Sequence, residues 1–229
     1  VTHGIKTIDR TTAAEFVMRL LIIGATGGTG RRVTSQAVER GHSVTAFVRS
    51  PQKLGSLLDR VAVYEGDPRN VAELQAILHG HDAVISALGP PRVGPTTILR
   101  DAARSAVAAM QAVGLHRLIV VSAAVLFDDL RIAGRLLRRT LLRNVGDDSF
   151  AMERIVMASA LNWTIARPPR LTNGPRTGHY DVENGHLPGR SAFASISRAD
   201  VADFLLAEIQ HNAHIHEIVG ITAGNGAYR

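Results

Sequence analysis

The chain has 229 residues, 45% of them hydrophobic and 20% charged, with no cysteine. That length and composition fit one domain with a sizeable core, exclude disulfide and thiol chemistry, and leave no apolar stretch near the roughly 20 residues needed to cross a bilayer. Net charge is +6, from 26 basic and 20 acidic residues, and arginine supplies most of the positive charge. A generally basic surface steers anionic cofactors as well as nucleic acid, and nucleic acid is the disfavoured partner here because the charge is spread along the chain. The lack of cysteine fits a reducing compartment, so a cytoplasmic location is expected.

Residues 1–17 are polar, and Met18-Arg19 stands at the start of the first strand-like run. Residues 1–17 are therefore expected to be a disordered extension and 18–229 a single domain. From there strand-like and helix-like segments alternate. Strands are predicted at 19–24, 43–48, 61–65, 82–87, 117–122 and 162–166. Helices are predicted at 29–40, 70–79, 96–113, 147–160 and 198–210. Several strands are unbroken apolar runs, as expected when helices cover both faces of a parallel sheet. Gly41 and Gly114 follow two helices as stops, Asn70 is a candidate N-cap, and Ser197 with Asp200 fits a capping box. Residues 167–191 are rich in proline and glycine. They are expected to form loops and a short strand over the carboxyl edge of the sheet, where open α/β folds bind ligands.

The most informative motif is Gly24-Ala25-Thr26-Gly27-Gly28-Thr29-Gly30, between the apolar run Leu20–Ile23 and the first helix. Glycines at this spacing allow a tight turn and close approach of the backbone to a pyrophosphate, with free N–H groups at the helix start facing the anion. The expected fold is α/β: a Rossmann-type doubly wound parallel sheet with helices on both faces and a small C-terminal substrate-side region. After the second strand comes Val48-Arg49, where NAD-preferring sites carry an acidic residue for the ribose hydroxyls. Arg49 suits a 2′-phosphate and Lys53 adds a second cation, so the predicted cofactor is NADP(H). Asp67, in Glu65-Gly66-Asp67-Pro68, is a candidate acceptor for the adenine amino group. Ser86-Ala87-Leu88-Gly89 closes the fourth strand with small residues that let a cofactor pass. The cofactor-binding residues predicted from these motifs are Gly24, Thr26, Gly27, Gly28, Thr29, Gly30, Arg49, Lys53, Asp67, Leu88 and Gly89.

These residues, in this order, resemble an atypical short-chain dehydrogenase/reductase of the NAD(P)H-binding, NmrA-like type. Within that group the chain is most similar to the biliverdin-IXβ reductase/flavin reductase family. The resemblance runs from about Met18 to Ile209 and includes Asp82–Ser86, Val121-Ser122, Trp163–Arg170, Thr177-Gly178-x-Tyr180 and Ser197–Ala202. It implies that the Pro168-Pro169 turn approaches the nicotinamide, that Thr177-Gly178 lies near the substrate pocket, and that the Asp200 helix has a packing role. The resemblance adds Ser122, Pro168 and Pro169 to the predicted cofactor-binding residues. Ala123 stands where that family usually carries serine, and Arg170 where it usually carries histidine. Both departures weigh against biliverdin more than against a flavin.

The wider superfamily protonates substrate oxygens with a tyrosine assisted by a lysine four residues on. Tyr64 is followed at that spacing by Pro68 and Tyr180 by Asn184, while Tyr228 is penultimate. The expected activity is hydride transfer from NADPH to a flavin or similar conjugated acceptor that draws its proton from water. Ser122 and Arg170 are the candidate catalytic residues. The first would bind the carboxamide or acceptor, and the second would stabilise an anionic acceptor or a phosphate. The alternative is a non-enzymatic NADP(H) redox sensor acting on a protein partner, and a sugar-nucleotide epimerase is disfavoured by the missing pair. Glu153 reads as structural pairing, the basic amphipathic stretch 131–143 as a surface helix or lid, and Trp163 as core. His211, His214 and His216 read as ordinary residues at a helix end and a last strand, with no metal expected. Both a monomer and a homodimer fit.

Overall fold

Leu20, Leu21, Ile22 and Ile23 are all buried, and they divide between two cores. Leu20 and Ile22 join one apolar cluster, Leu21 and Ile23 the other. Alternate residues of a strand face opposite sides, so a continuous apolar run is what a strand covered on both faces requires. The computed structural model describes residues 16–89, 94, 96–127, 143–191 and 193–224.

The elements in order are β1 (Arg19–Ile23), α1 (Gly28–Glu39), β2 (Ser43–Val48), a 3-10 segment (Pro51–Arg60), β3 (Ala62–Glu65), α2 (Val71–Leu78), β4 (Ala83–Ser86), α3 (Ile98–Val113), β5 (Arg117–Val121), a 3-10 turn (Ala124–Leu126), α4 (Arg143–Met157), β6 (Asn162–Arg167), β7 (Arg170–Thr172), β8 (Tyr180–Asn184), a second short 3-10 turn (Pro188–Arg190), β9 (Ser195–Ser197), α5 (Arg198–His211) and β10 (Glu217–Ala223). The main sheet runs β3-β2-β1-β4-β5-β6-β10-β8. Its strands are parallel except β8, which lies antiparallel to β10. Strand β1 sits between β2 and β4, with Leu21 beside Thr45 on one side and Val84 on the other. The chain reverses its direction of travel across the sheet there, and a crevice opens at the carboxyl ends of β1 and β4. Helices α1 and α5 cover one face, and α2, α3 and α4 cover the other. This is the doubly wound α/β fold expected from the alternating pattern.

The predicted helices and strands of the main sheet are present, with ends shifted by a few residues. Gly114 closes α3 in the left-handed conformation, and Asn70 accepts from the N–H groups of Ala72 and Glu73. Three features differ from expectation. Residues 51–60 form 3-10 turns across Gly55, whose φ is +58°; a proline start and an interior glycine hide the periodicity. The 167–197 region holds three strands, because β8 completes the sheet edge while β7 and β9 pair separately. Ser197 caps α5 by accepting from the Asp200 N–H, but the Asp200 carboxylate does not return to the cap N–H; it accepts from Thr177 N (2.7 Å) and Gly178 N (2.9 Å). The expected capping box is half a cap and half an anchor for the 177–178 loop. Residues 1–15, the basic stretch up to 142, and Tyr228 lie outside the described residues.

At the amino edge of the sheet a charged cluster is buried. Arg117, the first residue of β5, donates to Glu208 of α5 (2.9 Å) and to Thr164 (2.9 Å). Glu208 also accepts from the N–H of His214 (2.9 Å), and its other oxygen lies 2.8 Å from His214 Nδ1. Burial raises the Glu208 pKa, but the bonds from His214 and the charge of Arg117 outweigh it and hold the carboxyl below its ordinary value. His216 Nε2 lies 2.9 Å from the Leu161 carbonyl, so these two histidines serve packing and loop closure.

Because its folded pKa is depressed, Glu208 contributes stability above the ordinary glutamate range, and that contribution is lost as pH falls through the lower folded value. Glu208→Gln leaves Arg117 buried without a counter-charge and is expected to cost about 3 kcal/mol in denaturant unfolding. Cofactor affinity should stay unchanged, since the cluster lies at the far end of β5.

Candidate cofactor and active site

The floor of the crevice is the glycine loop. Gly24 leaves β1 at φ +84°, and a Cβ there would stand 2.9 Å from Leu88 N and 3.0 Å from the Ala87 carbonyl. Gly30 is tighter still: its Cβ would lie 2.0 Å from the Gly24 oxygen. The two glycines let the start of α1 sit directly on the turn, with the Gly27 N–H bonded to the Gly24 carbonyl (2.9 Å). Gly27 caps α1 with no side chain, and the first turn of α1 holds no acidic residue. Helices α2 and α5, by contrast, have N-terminal N–H groups taken by Asn70 and Ser197. The start of α1 therefore offers unsatisfied N–H groups and the positive end of the helix dipole to an anion. A dinucleotide pyrophosphate fits this cradle.

Beside it, Thr26, Arg49, Ser50 and Lys53 line a cleft of about 320 Å³. Arg49 follows β2, and Lys53 belongs to the 3-10 segment. Arg31, in the first turn of α1, holds that segment by donating to the carbonyls of Lys53 and Leu54. Sequence reasoning missed Arg31, whose position directly after the glycine motif was its one signal. Two cations and two hydroxyls around one small cleft suit a 2′-phosphate on the adenosine ribose.

Asp67 lies at the end of β3. Its carboxylate receives Arg69 at 2.5 Å and its backbone N–H donates to Glu73 (2.9 Å). The bonds from Arg69, together with the charges of Arg69 and Arg49, outweigh partial burial and bring its pKa down to about 2. Asp67 is thus an ionised acceptor already shared with Arg69. Leu88 is half-buried and Gly89 exposed; Thr29 and Gly30 are buried within the loop.

At the carboxyl ends of β5 and β6 the structure brings together residues that are distant in sequence. The Ser122 hydroxyl donates to Glu153 Oε1 of α4 (2.5 Å). Glu153 is fully buried and is held in turn by Arg167 through Nε (2.9 Å) and a terminal nitrogen (2.6 Å). The Arg167 guanidinium also lies 4.7 Å from the centre of the Phe127 ring. The structural pairing expected for Glu153 therefore has Arg167, the last residue of β6, as its partner. The Ser122 proton is committed to a buried carboxylate, so toward any further partner the hydroxyl acts as an acceptor. Pro168 and Pro169 follow β6, and the Pro168 carbonyl accepts from the Ala124 N–H (2.9 Å). That bond ties the proline turn to the turn after β5.

Arg170 begins β7 exposed, and no carboxylate among the described residues pairs with it. Tyr180 donates to Asp203 of α5 (3.0 Å), and Tyr64 stacks on Phe47. Lys6 and Lys53 are the only lysines in the sequence. Trp163 is buried in the α2–α4 side core. No helix among the described residues is long and apolar enough to cross a membrane, and no three histidine or acidic residues among them converge for a metal.

Comparison with known proteins shows the family and the fold. A model of the NAD(P)H-binding family matches residues 24–212. The uncharacterized protein YwnB of Bacillus subtilis is 30% identical over 210 residues, covering 87% of this chain and 96% of that one. A short-chain dehydrogenase/reductase of Veillonella parvula, solved in complex with NADP, superposes with a TM-score of 0.76 at 20% identity, over 93% of this chain and 98% of that one. ChuY, an anaerobillin reductase from Escherichia coli O157:H7, superposes at 0.72 and 21% identity, over 90% and 98%. At these identities the two solved structures show the fold.

Gly30→Ala forces the loop and α1 apart. It is expected to raise the Kd of NADPH and NADH alike by about tenfold or more, read by calorimetric titration. Unchanged affinities would show that the cradle is not where the dinucleotide sits.

Proposed function

The chain belongs to the NAD(P)H-binding family, and on that premise we propose that it is an NADPH-dependent reductase that passes hydride to a flavin or a similar conjugated acceptor. The carrying observation is the Ser122–Glu153 bond of 2.5 Å. A serine that spends its proton on a buried carboxylate is an acceptor toward the crevice, suited to hold the amide of a nicotinamide. It is not poised to donate to a developing oxyanion. Tyr180 is engaged with Asp203, and the sequence supplies no lysine to activate a tyrosine at this edge. An acceptor reduced here takes its proton from water, which suits an extended conjugated system better than a simple ketone or sugar.

When bound, the cofactor supplies the hydride. The protein's part is orientation. The α1 N-terminus receives the pyrophosphate, Arg49 and Lys53 receive the 2′-phosphate, and Ser122 with the Pro168-Pro169 turn positions the nicotinamide. Arg170, exposed beside that turn, meets an anionic acceptor such as a flavin phosphate. The resemblance to the biliverdin-IXβ/flavin reductases, the NADP bound to the Veillonella protein and the reductase ChuY support this reading.

The test is steady-state oxidation of NADPH and NADH with FMN as acceptor. The wild-type protein should favour NADPH, and Arg49→Glu should lower its kcat/KM for NADPH about tenfold or more while sparing NADH. An Arg49→Glu protein that keeps its NADPH preference contradicts the assignment of the cleft. Tight NADPH binding with no turnover on any flavin favours the sensor.

A further inference from the structure

Gly28 differs from the other glycines of the motif. It lies in α1 without a positive φ, and the three atoms nearest to a Cβ there would all belong to the Arg198 side chain, with Nε at 2.8 Å and Cδ at 2.9 Å. Gly28 is the first residue of α1, and its backbone conformation does not require glycine, so the absence of a side chain calls for another reason. Arg198 is the first residue of α5, and α5 is tied to α1. Gln36 donates to the Ala199 carbonyl (2.8 Å), and Arg40 pairs with Asp203 (2.6 Å). This packing lays the Arg198 guanidinium across the start of α1. Its partner is the neutral Asn173 side chain (2.7 Å), and no carboxylate among the described residues pairs with it. A cation thus rests against the positive end of a helix whose first turn holds no acidic residue. Two positive groups in contact, neither neutralised by the protein, are unfavourable until an anion joins them.

We propose that Arg198 is a ligand of the cofactor pyrophosphate, reaching it from α5, and that Gly28 is glycine to make room for its guanidinium. Arg198 thereby differs from Arg49 and Lys53. It serves affinity for any dinucleotide, whereas they discriminate the 2′-phosphate. Asn173, between β7 and the Asp200-anchored 177–178 loop, orients the guanidinium from the acceptor side.

The inference rests on membership of the NAD(P)H-binding family and not on the acceptor, so it is tested by binding without any acceptor. Calorimetric titrations would compare NADPH, NADH and 2′-AMP, which carries the 2′-phosphate but no pyrophosphate. Arg198→Met should raise the Kd of NADPH and NADH by a similar factor, about tenfold or more, and leave 2′-AMP unchanged. Arg198→Lys should recover part of the loss. Gly28→Ala should weaken both dinucleotides, and should weaken them no further when added to Arg198→Met, because both changes act on one contact. Thermal unfolding of each variant provides the control. Unchanged dinucleotide affinities with a lowered Tm would make Arg198 a strut between α5 and β7 and overturn the proposal. A loss confined to NADPH and 2′-AMP would assign it to the 2′-phosphate and overturn it equally. If Arg198→Met does not fold, Arg198→Gln and Arg198→Lys titrated with the same three ligands decide the matter, equal loss of NADPH and NADH with 2′-AMP spared supporting the proposal and unchanged affinities overturning it.

Discussion

The contact on which the site depends is the approach of Gly30 to the Gly24 carbonyl. A single added carbon at Gly30 would fall 2.0 Å from that oxygen, a separation no side chain tolerates. Because nothing intervenes, α1 begins directly above the end of β1 and its first N–H groups open into the crevice beside β4. Gly27, at the cap of this helix, carries no side chain and makes no side-chain cap bond. The first N–H groups of α1 are thus left for an anion, where those of α2 and α5 are taken by Asn70 and Ser197.

Charge is distributed around that helix start with a division of labour. Arg49 and Lys53 border a separate cleft, and Arg31 of α1 holds the segment that carries Lys53. Arg198 lies against the helix start itself. Acids near these groups are occupied elsewhere: Asp67 with Arg69, Asp200 with the 177–178 loop, Asp203 with Arg40 and Tyr180. The positive surface implied by a net charge of +6 is thus left uncompensated where an anionic cofactor fits. On the far side of the crevice the Glu153–Arg167 pair is buried and self-neutralising. Its consequence for chemistry is indirect: it decides which way the Ser122 hydroxyl points its proton.

What was legible in the sequence was local. The glycine loop declared itself because strand, turn and helix are contiguous, and the six parallel strands β1–β6 because apolar runs alternate with amphipathic ones. Arg49 was legible for the same reason, as a residue at the end of a strand at a known distance from the loop. The Ser122–Glu153–Arg167 chain was only partly legible. Its members come from β5, α4 and β6, and only the tertiary fold brings them within bonding distance. Gly28 looked like one more glycine of a motif until α5 placed Arg198 over it. Asp200 shows how a correct local pattern misleads: the spacing after Ser197 is that of a capping box, but a loop more than twenty residues upstream competes for the carboxylate and wins two backbone N–H bonds. The Pro51–Arg60 turns, and the number and bounds of the strands between 167 and 197, escaped notice because proline, glycine and half-exposed polar residues blur both the helical and the alternating period.

In the proposed reaction this edge of the sheet holds NADPH for direct hydride delivery to a flavin-like acceptor, with the proton drawn from water. The most direct measurement is anaerobic mixing of the protein with FMN and NADPH deuterated at the transferring nicotinamide carbon. The account predicts loss of oxidised flavin in step with NADPH, mole for mole, slowed by the deuterium. NADPH that binds tightly and stays unoxidised, or flavin reduction indifferent to the label under conditions where chemistry limits the rate, would contradict it.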